Sequence, residues 1–142
     1  MIKVSAIVST YNSEKLIRGC LEDLLSQTLY KKGQLEIVVI DSNSQQNEGA
    51  IVKEYQQKNH DIKYIRTEQR ETVYAAWNRG IAAAQGEYIT NANTDDAHRK
   101  DALELLARAL DAYPEADLAY AHNAWTNYPN DTFENSHAYL EA

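Results

Sequence analysis

The sequence has a single cysteine, so it can form no intramolecular disulfide and no cysteine-only metal site. That residue, Cys20, stands among Ile17, Leu21 and Leu24 at helical spacing, which places it in a core rather than at a reactive site. Long apolar runs are missing too. No stretch approaches the ~20 residues that span a bilayer. The run from Val4 to Ser9 is too short for a secretion signal and lacks a cleavage site. These absences lead to the expectation of a cytoplasmic chain with no membrane segment. Basic residues are in the minority: 14 Lys and Arg against 21 Asp and Glu give a formal net charge of −7. Such a field repels a phosphate backbone and speaks against nucleic-acid binding. It also opposes any anionic small ligand unless a cation or local donors offset it. Linkers, repeats and low-complexity tracts are lacking, and 142 residues suit a single domain, 1–142, with one core.

What the chain does have is an alternation of two periodicities. Val4 to Ser9 is a short, partly β-branched apolar run and predicts a buried strand. Asn12 or Ser13 can then cap a helix, in which Leu16, Ile17, Cys20, Leu21, Leu24 and Leu25 recur at three- and four-residue steps up to about Gln27. A polar loop from Tyr30 to Gln34 leads to a second strand, Leu35 to Ile40, which stops at Asp41. The cycle repeats with a weaker helix around Ile51, Val52 and Tyr55, a third strand at Ile62 to Ile65, and a helix whose apolar face carries Val73, Trp77, Ile81 and Ala84. Gly86 precedes a fourth strand, Glu87 to Thr90. Leu103, Leu106, Ala107 and Leu110 mark a helix ended by Pro114, and Leu118 to Ala121 predicts a fifth strand. Asn127 to Asn135 is turn-rich and aperiodic. Strands alternating with helices predict an α/β fold: an open, mostly parallel sheet with helices on both faces.

In such a sheet, ligands bind beyond the carboxyl ends of the strands. Three polar clusters fall there: Thr10-Tyr11-Asn12, Asp41-Ser42, and Asn93 to Asp96. A carboxylate pair such as Asp95-Asp96 suits a hard dication, Mg²⁺ or Mn²⁺, which completes its shell with water and diphosphate oxygens. The same pair precedes a helix, so one member could instead be a cap. Asp41 could equally form a turn, and Tyr11 could pack on the core edge. Trp77 reads as a core residue. His98 follows the carboxylates but begins a helix, and the expectation is a solvated surface residue rather than a metal ligand. His60, His122 and His137 form no ligand pair and no triad.

Taken together, these segments resemble the family 2 glycosyltransferases of the GT-A fold. Val8-Ser9-Thr10-Tyr11-Asn12 is similar to the family's "V-x-x-Y-N" strand end, and the helix end at Ser26-Gln27-Thr28 to its "S-x-x-x-Q". Ile37 to Asp41 matches the "E-I-I-V-D-D" strand, with Ser42 in place of the second Asp. Asn78-Arg79-Gly80-Ile81 with Gly86-Glu87-Tyr88-Ile89 resembles "R-N-x-G … A-x-G-E-Y-I", and Asn93-Thr94-Asp95-Asp96 stands at the D-x-D-D metal motif. The resemblance covers about Val4 to Leu110.

It implies an inverting, metal-dependent transferase acting on a nucleoside diphosphate sugar and an unknown acceptor. Thr10, Tyr11, Asn12 and Asp41 would line the base and ribose pocket, with Asp41 favouring uracil. Arg70 would supply a cation near the base or diphosphate, Asp95 would be the metal ligand, and Asp96 would support the loop or contact the sugar. Asn93 departs from the first Asp of the motif, and Trp77 stands where relatives carry Arg. Family domains run longer, so the chain reads as a shortened one whose acceptor half and catalytic base are missing. Glu134 and Glu141 lie outside the family's "E-D" context. Other readings are a nucleotide-sugar-binding module without activity of its own, a nucleotidyltransferase-like enzyme and a receiver-type switch. The nucleotidyltransferase reading lacks a glycine-rich basic loop after strand one, and the receiver reading leaves Asn78 to Asp96 unexplained.

Overall fold

The computed structural model describes residues 1–131 and 139–140. Glu134, His137 and Glu141 lie outside the described residues. Four strands, β1 (Val4–Thr10), β2 (Leu35–Asp41), β3 (Ile62–Arg66) and β4 (Tyr88–Asn91), form one parallel sheet in the order β3-β2-β1-β4. All seven residues of β2 are buried, which is why its apolar run is continuous rather than alternating. Helices α1 (Glu14–Ser26), α3 (Glu48–Gln56) and α5 (Ala102–Ala112) cover one face through Ile17, Cys20, Leu21, Leu24, Val52 and Leu103. Helix α4 (Val73–Ala83) covers the other face over Ile7, Val38 and Ile40. Each such side chain withdrawn from water contributes about 1.5–3 kcal/mol before entropy is subtracted. The sheet with helices on both faces is the one read from the sequence. No helix among the described residues is long and apolar enough to cross a membrane.

Three local expectations are corrected. The stretch after Gln27 holds a short helix, α2 (Thr28–Lys31), before the chain enters β2. The buried stripe of α4 is Ala76 and Gly80, whereas Val73 and Ile81 are 44% and 48% exposed. The reason is close approach: a Cβ on Gly80 would stand 2.2 Å from Cγ2 of Ile7, so α4 rests on the sheet through its smallest residues while Trp77 packs alongside. The fifth strand does not form at Leu118 to Ala121, where Leu118 is 77% exposed. A strand exists only through a ladder, and β4 pairs with β1 alone. Leu118 and Ala119 instead line an apolar groove of about 320 Å³ beside β4 and α5. A two-residue antiparallel ladder joins β5 (Ala124–Trp125) to β6 (Tyr139–Leu140).

One buried carboxylate secures β4. Glu36 accepts from Ser5 Oγ and from the Gln85 amide, both at 2.5 Å, and pairs with Lys63 Nζ at 2.7 Å. Burial pushes its pKa up, but hydrogen bonds from Lys63, Ser5 and Gln85 and the Lys63 charge outweigh it and hold the carboxyl below its ordinary value. A depressed carboxylate contributes stability above the unfolded-state pKa, about 4.3, and loses it as pH falls through the folded-state value. Denaturant midpoints taken from pH 7 down to pH 3 should therefore fall less steeply on the acid side in Glu36→Gln. An unchanged acid limb would show that Glu36 contributes nothing to it.

Candidate functional site

The carboxyl edge of the sheet presents Thr10, Asp41 and Arg66 in one transverse row across β1, β2 and β3. Asp41 is fully buried. Its Oδ1 accepts from the Ser44 amide at 2.7 Å, and its Oδ2 accepts from Tyr64 Oη at 2.5 Å and Arg66 Nη1 at 3.0 Å. Three of a carboxylate's roughly four acceptor positions are thereby taken. The Tyr64 hydroxyl is pushed up to about 12 by burial and by its bond to Asp41, so it remains a donor. Thr10 is also beneath the surface, with its Oγ1 buried and without a hydrogen-bond partner among the described residues. In this arrangement Thr10 and Asp41 form the buried floor of the edge.

Tyr11, Asn12 and Arg70 come together above that floor. The Arg70 guanidinium lies over the Tyr11 ring, 4.2 Å from its centroid, which is cation–π geometry. Asn12 has φ +51°, a left-handed conformation that Asn tolerates better than most residues. A reciprocal pair holds it: the Gln45 amide donates to Asn12 Oδ1 at 2.8 Å, and Asn12 Nδ2 donates to Gln45 Oε1 at 3.1 Å. The loop carrying Arg70 is anchored at both ends. The Thr67 amide donates to the Asp41 carbonyl at 2.9 Å, and Ser42 Oγ accepts from the Glu71 amide at 2.6 Å. Arg70 thus brings positive charge to this rim of a chain whose net charge is −7, while the charge of Arg66 is paired with Asp41.

The N-terminus of α1, a common place for anions, is closed here. The amides of Asn12, Ser13 and Glu14 donate to Ser44 Oγ, Glu48 Oε1 and Gln46 Oε1, respectively. Glu48 is fully buried, so an internal carboxylate stands where a phosphate would otherwise go. Any anionic ligand must be held elsewhere along the edge.

The second group lies on the loop after β4. Asp95 and Asp96 are exposed. Neither caps α5, whose N-cap position is Asp101. Asn93 Nδ2 donates to Asp96 Oδ2 at 2.7 Å, a bond that an aspartate in its place could not donate. No hydrogen bond or ion pair reaches the Asp95 carboxylate among the described residues. No group of three His, Cys, Asp or Glu gathers among the described residues, but an ion of the Mg²⁺ type needs only one or two carboxylates besides its waters and a diphosphate. The free Asp95 carboxylate with Asp96 beside it fits that requirement. His98 is half-buried. Its Nδ1 lies 2.7 Å from Asp23 Oδ2, and its amide donates to Asp23 Oδ1 at 2.9 Å, which ties the loop to α1. Gln27, fully buried, holds the same loop through Nε2 to the Arg99 carbonyl at 3.1 Å. Burial pushes the Cys20 thiol up to about 12, with help from nearby Asp23, Asp96 and Asp95, so it is inert as expected.

No hydrogen bond joins this loop to the Tyr11–Arg70 group, although β1 and β4 are neighbours. Arg66, Ser44, Gln45 and Glu48 did not stand out in the sequence. Arg66 could have, because it ends β3 on the edge that singled out Asp41. The other three gave no local signal.

Comparison with known proteins supplies the family. The chain is 37% identical over 117 residues to the glycosyltransferase GlyA of Streptococcus pneumoniae, covering 82% of this chain and 16% of that one. Among solved structures, S. aureus TarS in complex with UDP matches with a TM-score of 0.73 and 32% identity, over 80% of this chain and 33% of TarS. TarS in complex with UDP-GlcNAc gives a TM-score of 0.71 at 30% identity, over 80% of this chain and 32% of that one. The mannosyltransferase PcManGT of Pyrobaculum calidifontis, in complex with GDP-Man and Mn²⁺, gives 0.70 at 27% identity, over 76% and 32%. The chain therefore spans a sixth to a third of the length of these relatives. The family model for glycosyl transferase family 2 matches residues 5–140, and with its GT-A sheet the chain belongs to that family.

Proposed function

We propose that this chain supplies the donor site of an inverting glycosyltransferase that uses a UDP-sugar together with a divalent cation. The observation that carries this reading is the Tyr11–Arg70 pair, a partly exposed aromatic ring with a cation over it, at the same carboxyl edge whose loop after β4 carries Asp95, exposed and unpartnered among the described residues. A base stacks on Tyr11, Asn12 and Gln45 offer polar contacts, and Arg70 supplies charge toward a diphosphate. Asp41 keeps Arg66 and Tyr64 in place. It reaches the ring N–H of a uracil only if one of those two releases Oδ2. Asp95 would hold Mn²⁺ or Mg²⁺, with Asp96 flanking it, and the ion there supplies neutralisation of the diphosphate charge. The TarS complexes with UDP and UDP-GlcNAc support the choice of base, and the Mn²⁺ in PcManGT supports the choice of ion.

Calorimetric titration with UDP, GDP and CDP in the presence of Mn²⁺ tests this reading. UDP should bind most tightly, and Arg70→Ala should weaken it by about fivefold, the upper end for one solvent-exposed charge–charge contact. Equal or absent binding of the three nucleotides would remove the base assignment.

A further inference from the structure

The turn-rich stretch after β5 has a task that its sequence did not disclose. Thr126 to Asp131 folds on itself: the Tyr128 amide donates to Thr126 Oγ1 at 3.1 Å, and Thr126 Oγ1 donates to Asp131 Oδ2 at 3.0 Å. At its tip Asn130 takes φ +57°. From there it grips two successive carbonyls of the loop after β4. Its Nδ2 donates to the Thr94 carbonyl at 2.8 Å, and its backbone amide donates to the Asp95 carbonyl at 2.8 Å. On its other side Asn130 rests on α1 at Gly19, where an added Cβ would come within 2.8 Å of Asn130 Cγ. A side chain at position 19 would therefore push the latch away from α1.

We propose that Asn130, seated on Gly19, is a positioning residue that fixes the direction of the Asp95 carboxylate for a bound dication. The inference rests on the reading of Asp95 as a metal ligand. The physical argument is direct. Among the described residues the exposed Asp95 side chain has no hydrogen bond, so only the backbone fixes where its Cα–Cβ bond points, and Asn130 holds the peptide carbonyls on either side of the Asp95 Cα. Asn93, Asp23 and Gln27 brace the neighbouring parts of the loop but do not reach these two carbonyls. Removing the latch leaves the ligand present but unaimed.

Two variants separate this from a general structural role. Asn130→Gly keeps the left-handed backbone and its amide but loses the Nδ2 bond. Gly19→Ala displaces the whole latch, although alanine is the better helix former. Both should weaken Mn²⁺-supported UDP binding on the order of tenfold, the usual scale for groups that orient a metal ligand. UDP affinity without metal should stay unchanged, and the melting temperature of Gly19→Ala should hold or rise. In the metal-free protein, NMR order parameters of the Thr94, Asp95 and Asp96 amides should drop. Full Mn²⁺ support in both variants, or equal losses with and without metal, would overturn the latch. Asp95→Asn is measured in parallel. If it keeps the Mn²⁺ gain, the ligand reading fails and the latch fails with it. If it loses the gain while both latch variants keep it, the latch alone is wrong.

Discussion

With Mn²⁺ present, Asp95→Asn is expected to bind UDP roughly ten- to a hundredfold more weakly than the parent chain, a loss of ~1.5–3 kcal/mol. The amide keeps the size of the side chain and removes its charge, and the carboxylate it replaces is exposed and unpartnered among the described residues. A fold change cannot therefore account for the loss. In a chain of net charge −7 a diphosphate meets repulsion. Arg70 offsets part of it, and the amides of Asn12, Ser13 and Glu14 are already engaged by Ser44, Glu48 and Gln46. A dication on Asp95 would bring positive charge to the two aspartates of the loop after β4, where Arg99 is already paired with Asp101. Asp96→Asn should lose less, since Asp96 Oδ2 is already engaged by Asn93. Titration with a chelator should bring the parent chain down to the level of Asp95→Asn. Full affinity of Asp95→Asn, or indifference to the chelator, would refute the ligand role.

Gly86→Ala should cost about 3 kcal/mol or more, the upper end of the overpacking range. A Cβ at this position would stand 2.6 Å from the Ser5 amide nitrogen and 2.7 Å from the Val4 carbonyl carbon. Those atoms belong to the backbone of β1, a buried strand paired on both sides, and cannot yield as a flexible side chain would. The same approach lets the Gly86 amide donate to Ser5 Oγ at 2.8 Å. Forcing the chain away breaks the entry into β4 and shifts the loop that carries Asp95. Thermal unfolding should show a drop on the order of 10 °C for a domain of this size, and Mn²⁺-supported UDP binding should fall with it. Gly33→Ala is the control. Gly33 has φ +67° and nothing within 4 Å of an added Cβ, so only the left-handed conformation is penalised, by ~1–2 kcal/mol. Equal melting of Gly86→Ala and the parent would mean that β4 does not pack on β1 as closely as described.

The elements that repeat locally could be read without coordinates, and the reason is physical. A buried parallel strand must be apolar throughout, and a helix lying on it must be apolar every three or four residues. The runs at Val4 and Leu35 and the pattern from Leu16 to Leu25 therefore determine β1, β2 and α1. Once the order of elements is known, the carboxyl edge follows, and so does the placement of Tyr11, Asp41 and Asp95 on it. Tertiary structure decided whatever depends on a partner distant in sequence. Leu118 to Ala121 has the composition of a strand but no ladder to join. Val73 and Ile81 have the hydrophobicity of a buried face, but Gly80 is what Ile7 allows to approach. Asp41 has the chemistry of a base acceptor, yet Tyr64 and Arg66, more than 20 residues away, already fill it. The Glu48 carboxylate of α3 on the Ser13 amide before α1, and Asn130 on the Thr94 and Asp95 carbonyls, follow no periodicity. A hydrogen bond between distant loops depends only on where two backbones meet, and no local repeat in the sequence records that meeting.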